Sequence, residues 1–246
     1  RRKSNAEKFL VLMLGGGVIL AALSFLFLRF GAESLSLSDI LSAFFAFDEG
    51  EFKHVIARDI RLPRLLADII VGVSLAVAGA VMQGNTKNPM ADSGIMGISA
   101  GSVFAIVLMM AFLPDASRLE RIGYSCLGAL AATLLIYGVA LLGHTGRSAD
   151  RMVLSGMAIS TLFSSVSSAV ILKSGNVNAM MKYTAGSSAN TIWLDVGLSA
   201  PFFAAGLIAA LVMARSLTIM GLGDEVSREL GANTRLIRLV GTIVVL

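Results

Sequence analysis

Six stretches of the chain are apolar with hardly a charged position inside them. They are Phe9–Phe30, Leu65–Met82, Ile95–Leu113, Ile122–Leu142, Met152–Leu172 and Val196–Ala214. A bilayer core near 30 Å needs roughly 20 apolar helical residues, and each run meets or approaches that length. The third to sixth runs contain no Asp, Glu, Lys, Arg or His. A seventh opens near Leu236 and is still running at Leu246. The runs are continuous, without the two-residue alternation of a membrane barrel, so the pattern predicts helices. The expectation is an all-α polytopic membrane protein: one transmembrane domain over 1–246, with six complete spans and the start of a seventh. Because the sequence begins without Met and ends inside an apolar run, it reads as part of a longer protein.

The polar intervals carry their own signals. RRKSNAEK precedes the first run, which is longer than the roughly 7–15-residue core of a signal peptide, so a retained first span is predicted. The basic leader places the N-terminus in the cytoplasm, and eleven of the twenty Lys and Arg then fall on that side. SLSDILSAFFAF predicts a short amphipathic helix at the interface. Pro63 falls where a helix accepts proline, in its first turn. Asp68 follows Arg64 by one turn and is expected to pair with it. In NTKNPMADSGIMGISAGS, Asp92 or Ser93 is expected to cap a helix beginning at Gly94. In GLGDEVSRELGANTR, Asp224 suits an N-cap and Gly231 the left-handed C′ position of a short helix within a cytoplasmic loop over 215–235.

Composition narrows the function classes. Only 15% of residues are charged, against roughly 25% in soluble domains. The net charge of +4 is explained by basic membrane flanks. No Lys/Arg cluster interleaved with aromatics points to nucleic acid. The single cysteine, Cys126, excludes a disulfide within the chain. His54 and His144 lie in predicted loops without HExxH spacing, no carboxylate pair sits within the runs, and no GxxxxGK[ST] loop occurs. No catalytic residue, metal site or bound cofactor is therefore assigned. Transport remains, by an ATP-driven permease or by an ion-gradient-driven carrier of a small polar solute. The carrier would ordinarily place ionisable groups or broken helices at mid-membrane.

The fifth run, SGMAISTLFSSVSSAVIL, is rich in hydroxyls, and Ser160, Ser164, Ser167 and Ser168 share one helical face. They either bond back to carbonyls of their own helix and allow close packing, or line a hydrated passage. Glycines in GVSLAVAGA and GISAGS likewise suit close helix packing, or slack in helices that rock.

RLPRLLADIIVGVSLAVAGAVMQGNTKNPMADSGIMGISAG, followed by MVLSGMAISTLFSSVSSAV and ARSLTIMGLGDEVSRELGANTRLIR, closely resembles the FecCD-type permeases. These are membrane subunits of ATP-binding-cassette importers for ferric siderophores, haem and cobalamin, with about ten helices per subunit. The resemblance implies a multi-pass protein of the bacterial cytoplasmic membrane, with an iron-siderophore-type chelate as the expected cargo. Its implied partners are a second permease subunit, two cytoplasmic ATPases that hold Mg-ATP, and an extracytoplasmic solute-binding protein. It also implies roles for residues. Arg61 and Arg64 would dock the binding protein, or alternatively anchor the helix at the interface. Asn88 and Met90 would form the inner gate. Ala149 and Asp150 would form a second constriction, where an Asp departs from the small hydroxyl residues usual in the family. On the hydrated-passage reading of the fifth run, not on the resemblance, Ser160, Ser164 and Ser168 would face the pathway. Gly223, Asp224, Glu225, Arg228, Glu229, Leu230 and Gly231 would couple to the ATPase.

Overall fold

The computed structural model describes residues 2–89, 91–92, 94, 97–141, 149–175, 177–221 and 223–246. Every regular element among them is helical: α1 (Arg2–Arg29), α2 (Leu37–Phe45), α3 (Phe52–Val55), a π-helical turn (Ile56–Arg61), α4 (Leu62–Thr86), α5 (Ile98–Phe112), α6 (Arg118–Leu141), α7 (Ala149–Lys173), α8 (Val177–Thr184), α9 (Trp193–Met220), α10 (Asp224–Glu229) and α11 (Thr234–Val245). The chain forms two compact units. One comprises Arg1–Ile69 with Ser188–Gly197, the other Ile70–Ser187 with Leu198–Leu246.

Among the described residues, five helices are long and apolar enough to cross a membrane: Ala6–Arg29, Phe52–Thr86, Arg118–Val139, Leu154–Lys173 and Trp193–Met220. The expected third span is shorter than its apolar run. Gly97 takes a left-handed conformation (φ 71°), and the helix starts only at Ile98. Its 15 residues extend about 22 Å, short of a ~30 Å hydrocarbon core. Where six full-length spans are expected, the described residues thus show five helices of that length together with the short apolar α5. At the other extreme, α9 outruns its predicted end and continues through Met220.

In the first unit, the predicted amphipathic helix is α2. Its start is fixed by a reciprocal capping box: Ser36 Oγ accepts from Asp39 N, and the Asp39 carboxylate accepts from Ser36 N. Ile40 and Ala43 enter a core with Leu35, Ile56 and Ala57, while Leu37, Leu41, Phe44 and Phe45 remain exposed. Asp39 also pairs with Lys53 at 3.1 Å. The Ser36 backbone and hydroxyl donors, then the Lys53 ammonium, hold its carboxyl at about 2.

Pro63 stands in the first turn of α4, as its sequence position suggests, yet the helical path is entered earlier, from Phe52. The intervening π turn accommodates it. Leu62 N donates to Ala57 O, five residues back. The corresponding donor for Arg58 O would be Pro63, which has no N–H. The indole N–H of Trp193 donates to that carbonyl at 3.1 Å, so the acceptor left over by proline is satisfied from the start of α9.

In the second unit, α5, α6 and α7 pack on one another, and α8 packs on α5 and α7. The α5–α6 crossing is backbone against backbone: a Cβ added at Gly101 would lie 2.4 Å from Gly128 O and 2.4 Å from Ala132 Cβ. This is the close-packing use of glycine that the sequence suggests. A core of Val81, Met82, Ala91, Ile98, Ala129, Ala210 and Val245 joins α4, the turn after it, α5, α6, α9 and α11.

Candidate functional site

The RLPR arginines differ in environment. Arg61 is buried, its guanidinium donating to Leu28 O at 2.6 Å and to Glu33 O. Leu28 O belongs to the last turn of α1, where carbonyls lack intrahelical donors and a cation also meets the negative end of the helix dipole. Arg61 therefore closes α1 rather than presenting a free charge. Arg64 is half-buried, with Nε buried and unpartnered. The ion pair expected between Arg64 and Asp68 is not among the salt bridges of the described residues. One turn beyond, four residues separate the groups along a helix, but Asp68 stays exposed. Arg58, which the sequence did not single out, is exposed, with its guanidinium carbon 4.4 Å from the Phe47 ring centroid.

The Asn-Pro connector is a built turn. Lys87, in a left-handed conformation (φ 54°), ends α4. Ala91 N donates to Asn88 O at 3.1 Å, and Ala91 is buried in the core. Asp92 Oδ2 accepts from Gly94 N at 3.3 Å, shaping the turn. The capping expectation is corrected: the helix begins four residues later, at Ile98, and its N-cap Gly97 offers no side chain. Gly97 is required there by its φ, and a Cβ would also crowd the tip of Ile136, whose Cδ1 would lie at 2.6 Å. Asn88 is half-buried. Met90 and Ser93 lie outside the described residues.

Ala149 and Asp150 form the first turn of α7, and their side chains lie outside the described residues. The serine face of α7 divides. Thr161, Ser165 and Ser168 donate back to Met157 O, Thr161 O and Ser164 O at 2.8–2.9 Å, which is the helix-internal alternative. Ser160 Oγ and Ser167 Oγ are buried without partners, whereas Ser164 and Ser168 are exposed. A cleft of about 780 Å³ lies elsewhere in this unit. It is lined by Ser74, Ser99, Cys126, Ser199 and the rings of Phe202 and Phe203 among other residues, none of them from α7.

The loop after α9 holds α10. Asp224 is its first residue rather than its N-cap; Gly223, at φ 114°, takes the cap position without a side-chain bond. A side chain would be strained at that φ, which suits glycine to the position. Gly231 has the expected positive φ, 78°. Its N–H donates to Arg228 O, and Ala232 N reaches back to Ser227 O, both at 2.9 Å. Ser227 is fully buried and donates to Ile219 O or Gly223 O, pinning α10 against the end of α9. Arg228, Glu229 and Leu230 are exposed. Asp224 and Glu225 side chains lie outside the described residues. Asn233 Oδ1 accepts from Leu236 N at 3.1 Å and starts α11.

Long apolar helices joined by tightly built polar turns define a multi-pass helical membrane protein. The chain belongs to the FecCD transport family, whose profile matches residues 19–246. It is 33% identical to the iron(3+)-hydroxamate import system permease protein FhuB of Bacillus subtilis over 96% of this chain and 61% of that protein. It is 35% identical to the Fe(3+)-citrate import system permease protein YfmD of the same organism, covering 93% and 69% of the two chains. Against the ferric enterobactin transport system permease protein FepD of Escherichia coli the identity is 34%, over 93% and 67%. The chain thus spans about two thirds or less of the length of these relatives. A solved structure of a metal-chelate type ABC transporter in an inward-facing conformation shares the fold. Its TM-score is 0.76 at 23% identity, covering 95% of this chain and 73% of that one.

Proposed function

We propose that the chain is the membrane-spanning part of an ATP-binding-cassette importer permease that carries an iron chelate of the siderophore type. The family match over residues 19–246 carries this reading, and the relatives' names supply the cargo class. The permease pairs with a second permease subunit in the bacterial cytoplasmic membrane, with the solute passing between the two. A solute-binding protein delivers the chelate from outside, and two cytoplasmic ATPases holding Mg-ATP drive the cycle. The N-terminus is cytoplasmic. The short α5 serves as the third crossing and α11 opens the seventh.

Within this scheme α10, bounded by two positive-φ glycines and pinned through Ser227, is the segment that meets the ATPase. Its exposed Arg228, Glu229 and Leu230 form the contact surface. The turn at Asn88 and Met90 closes the inner end of the path, with the start of α7 at Ala149 and Asp150 as the second constriction. The exposed Ser164 and Ser168 face the path, which needs weak, polar contact rather than tight binding. Arg64 meets the binding protein, and Arg61 holds the platform beneath it.

The test is copurification of the full-length permease with the binding protein encoded beside it, followed by fluorescence titration of that binding protein. Quenching by a ferric hydroxamate or related iron chelate is expected. Quenching only by cobalamin or haem would overturn the cargo assignment.

A further inference from the structure

Asn85 ends the apolar part of α4 one turn before the Asn-Pro turn, and it is 7% exposed. Its amide Nδ2 donates across to Arg238 O of α11 at 3.3 Å. The fit is close enough that a Cβ on Gly241 would lie 2.4 Å from Asn85 Nδ2 and 2.7 Å from Oδ1. Arg238 O also accepts from Thr242 Oγ1 at 2.9 Å, and Thr242 Oγ1 meets the Tyr137 hydroxyl of α6 at 2.9 Å. A small polar cluster therefore joins α4, α6 and α11 inside otherwise apolar packing. Within it, Asn85 Oδ1 is buried and has no partner.

A buried carboxamide with one half bonded and one half orphaned is costly if the arrangement is permanent. It suits a joint with a second arrangement in which Oδ1 finds a donor. The two ends of the joint indicate what it connects. α11 follows α10 after four residues, from Leu230 to Asn233, and packs against it. Asn85 lies two residues before Lys87, whose left-handed conformation sets the Asn88 turn.

We infer that Asn85 is a positioning residue that transmits displacement of α10 and α11 to the inner turn at Asn88, with Gly241 as the socket that admits its amide. The inference rests on the coupling role proposed above for α10. It requires neither a ligand nor a titrating group, and acts through the packed polar contact of Asn85 with α11.

Two reporters test it in the full-length permease assembled with its ATPase, with Cys126 replaced by Ala. Glu229→Cys reports on α10 and Asn88→Cys on the turn. Labelling by an impermeant maleimide is measured with and without ATP plus vanadate. With Asn85 present, both labelling rates should change, the turn by about fivefold or more, the scale of ordinary site-to-site coupling. In Asn85→Ala the α10 reporter should still respond while the turn reporter falls silent. A purely structural role would instead lower yield or thermal stability without separating the two responses. Gly241→Ala, which keeps Asn85 but displaces its amide, should give the same separation and serves if Asn85→Ala does not accumulate. Both reporters responding in either variant overturns the inference and leaves the coupling role of α10 standing. Neither responding when Asn85 and Gly241 are intact overturns that role, and this inference with it.

Discussion

Arg61 closes the C-terminal end of α1 through the bend at Gly31, so tightly that a Cβ on Gly31 would stand 2.7 Å from Arg61 Nη2 and 3.0 Å from Cζ. The two carbonyls that receive the guanidinium, of Leu28 and Glu33, flank that bend. The arginine is thus committed to the fold of the first unit.

Arg61→Gln should destabilise the protein by roughly 1–3 kcal/mol, because two hydrogen bonds from a buried charged group are lost. Arg61→Lys should not restore it, since an ammonium cannot span both carbonyls as the planar fork does. Arg64→Glu should leave the melting temperature in detergent nearly unchanged and slow association with the binding protein, most strongly at low salt. Melting curves and association rates on the same preparations separate the two arginines. Unchanged association of Arg64→Glu at low salt would assign Arg64 to interfacial anchoring instead.

Gly101→Leu should destabilise the helical bundle by about 1–3 kcal/mol or more, as overpacking does. The obstacle is backbone: Gly128 O at 2.4 Å cannot rotate away as a side chain would. Gly72→Leu is the control, because nothing lies within 4 Å of a Cβ there. Thermal unfolding followed by size-exclusion fluorescence should shift for the first variant and not for the second.

The periodicity and turn chemistry of the sequence made much of this legible. Five long helices, the amphipathic α2 and the positive φ of Gly231 follow from runs, caps and glycine placement, which are local. What stayed hidden was non-local. Arg61 and Arg64 look equivalent in RLPR, and only contacts about thirty residues upstream make one of them a helix cap. The serines of α7 share a face by angle, but packing divides that face into the buried Oγ atoms of Ser160 and Ser167 and the exposed Ser164 and Ser168. Asn85 carried no signal beyond being a polar residue at the end of an apolar run, and Trp193 none beyond standing at a helix start. The misplaced caps at Asp92 and Asp224 have a common cause: in both turns a glycine with positive φ, Gly97 or Gly223, occupies the cap position.

Asp39 should make the first unit acid-sensitive in one window. Its carboxyl is held at about 2, below the ordinary value near 3.9, so its contribution is present above that ordinary value. It is lost as pH falls from there through about 2. Asp39→Asn should therefore be less stable than the parent at neutral pH and converge with it in strong acid. Melting temperatures of the two proteins across that range check the sign. A gap that widened on acidification would contradict the pairing with Ser36 and Lys53.

Gly231→Val should strain the end of α10 by of order 1–2 kcal/mol, because a β-branched residue resists φ near 78°. Space is not the obstacle, as nothing lies within 4 Å of a Cβ there. Gly231→Asn should be milder. Expression and binding-protein docking should survive in both variants. Stimulation of the ATPase by loaded binding protein should fall sharply in the valine variant.

In the proposed function, transport through this chain is driven by ATP hydrolysis on a partner subunit. This is tested most directly by uptake of a radiolabelled ferric chelate into proteoliposomes holding the full-length permease, its ATPase and loaded binding protein. Uptake should require hydrolysable ATP, stop with vanadate and persist when ionophores dissipate every ion gradient. Uptake that proceeds at the same rate without ATP and collapses with the ion gradient would contradict it and identify an ion-driven carrier.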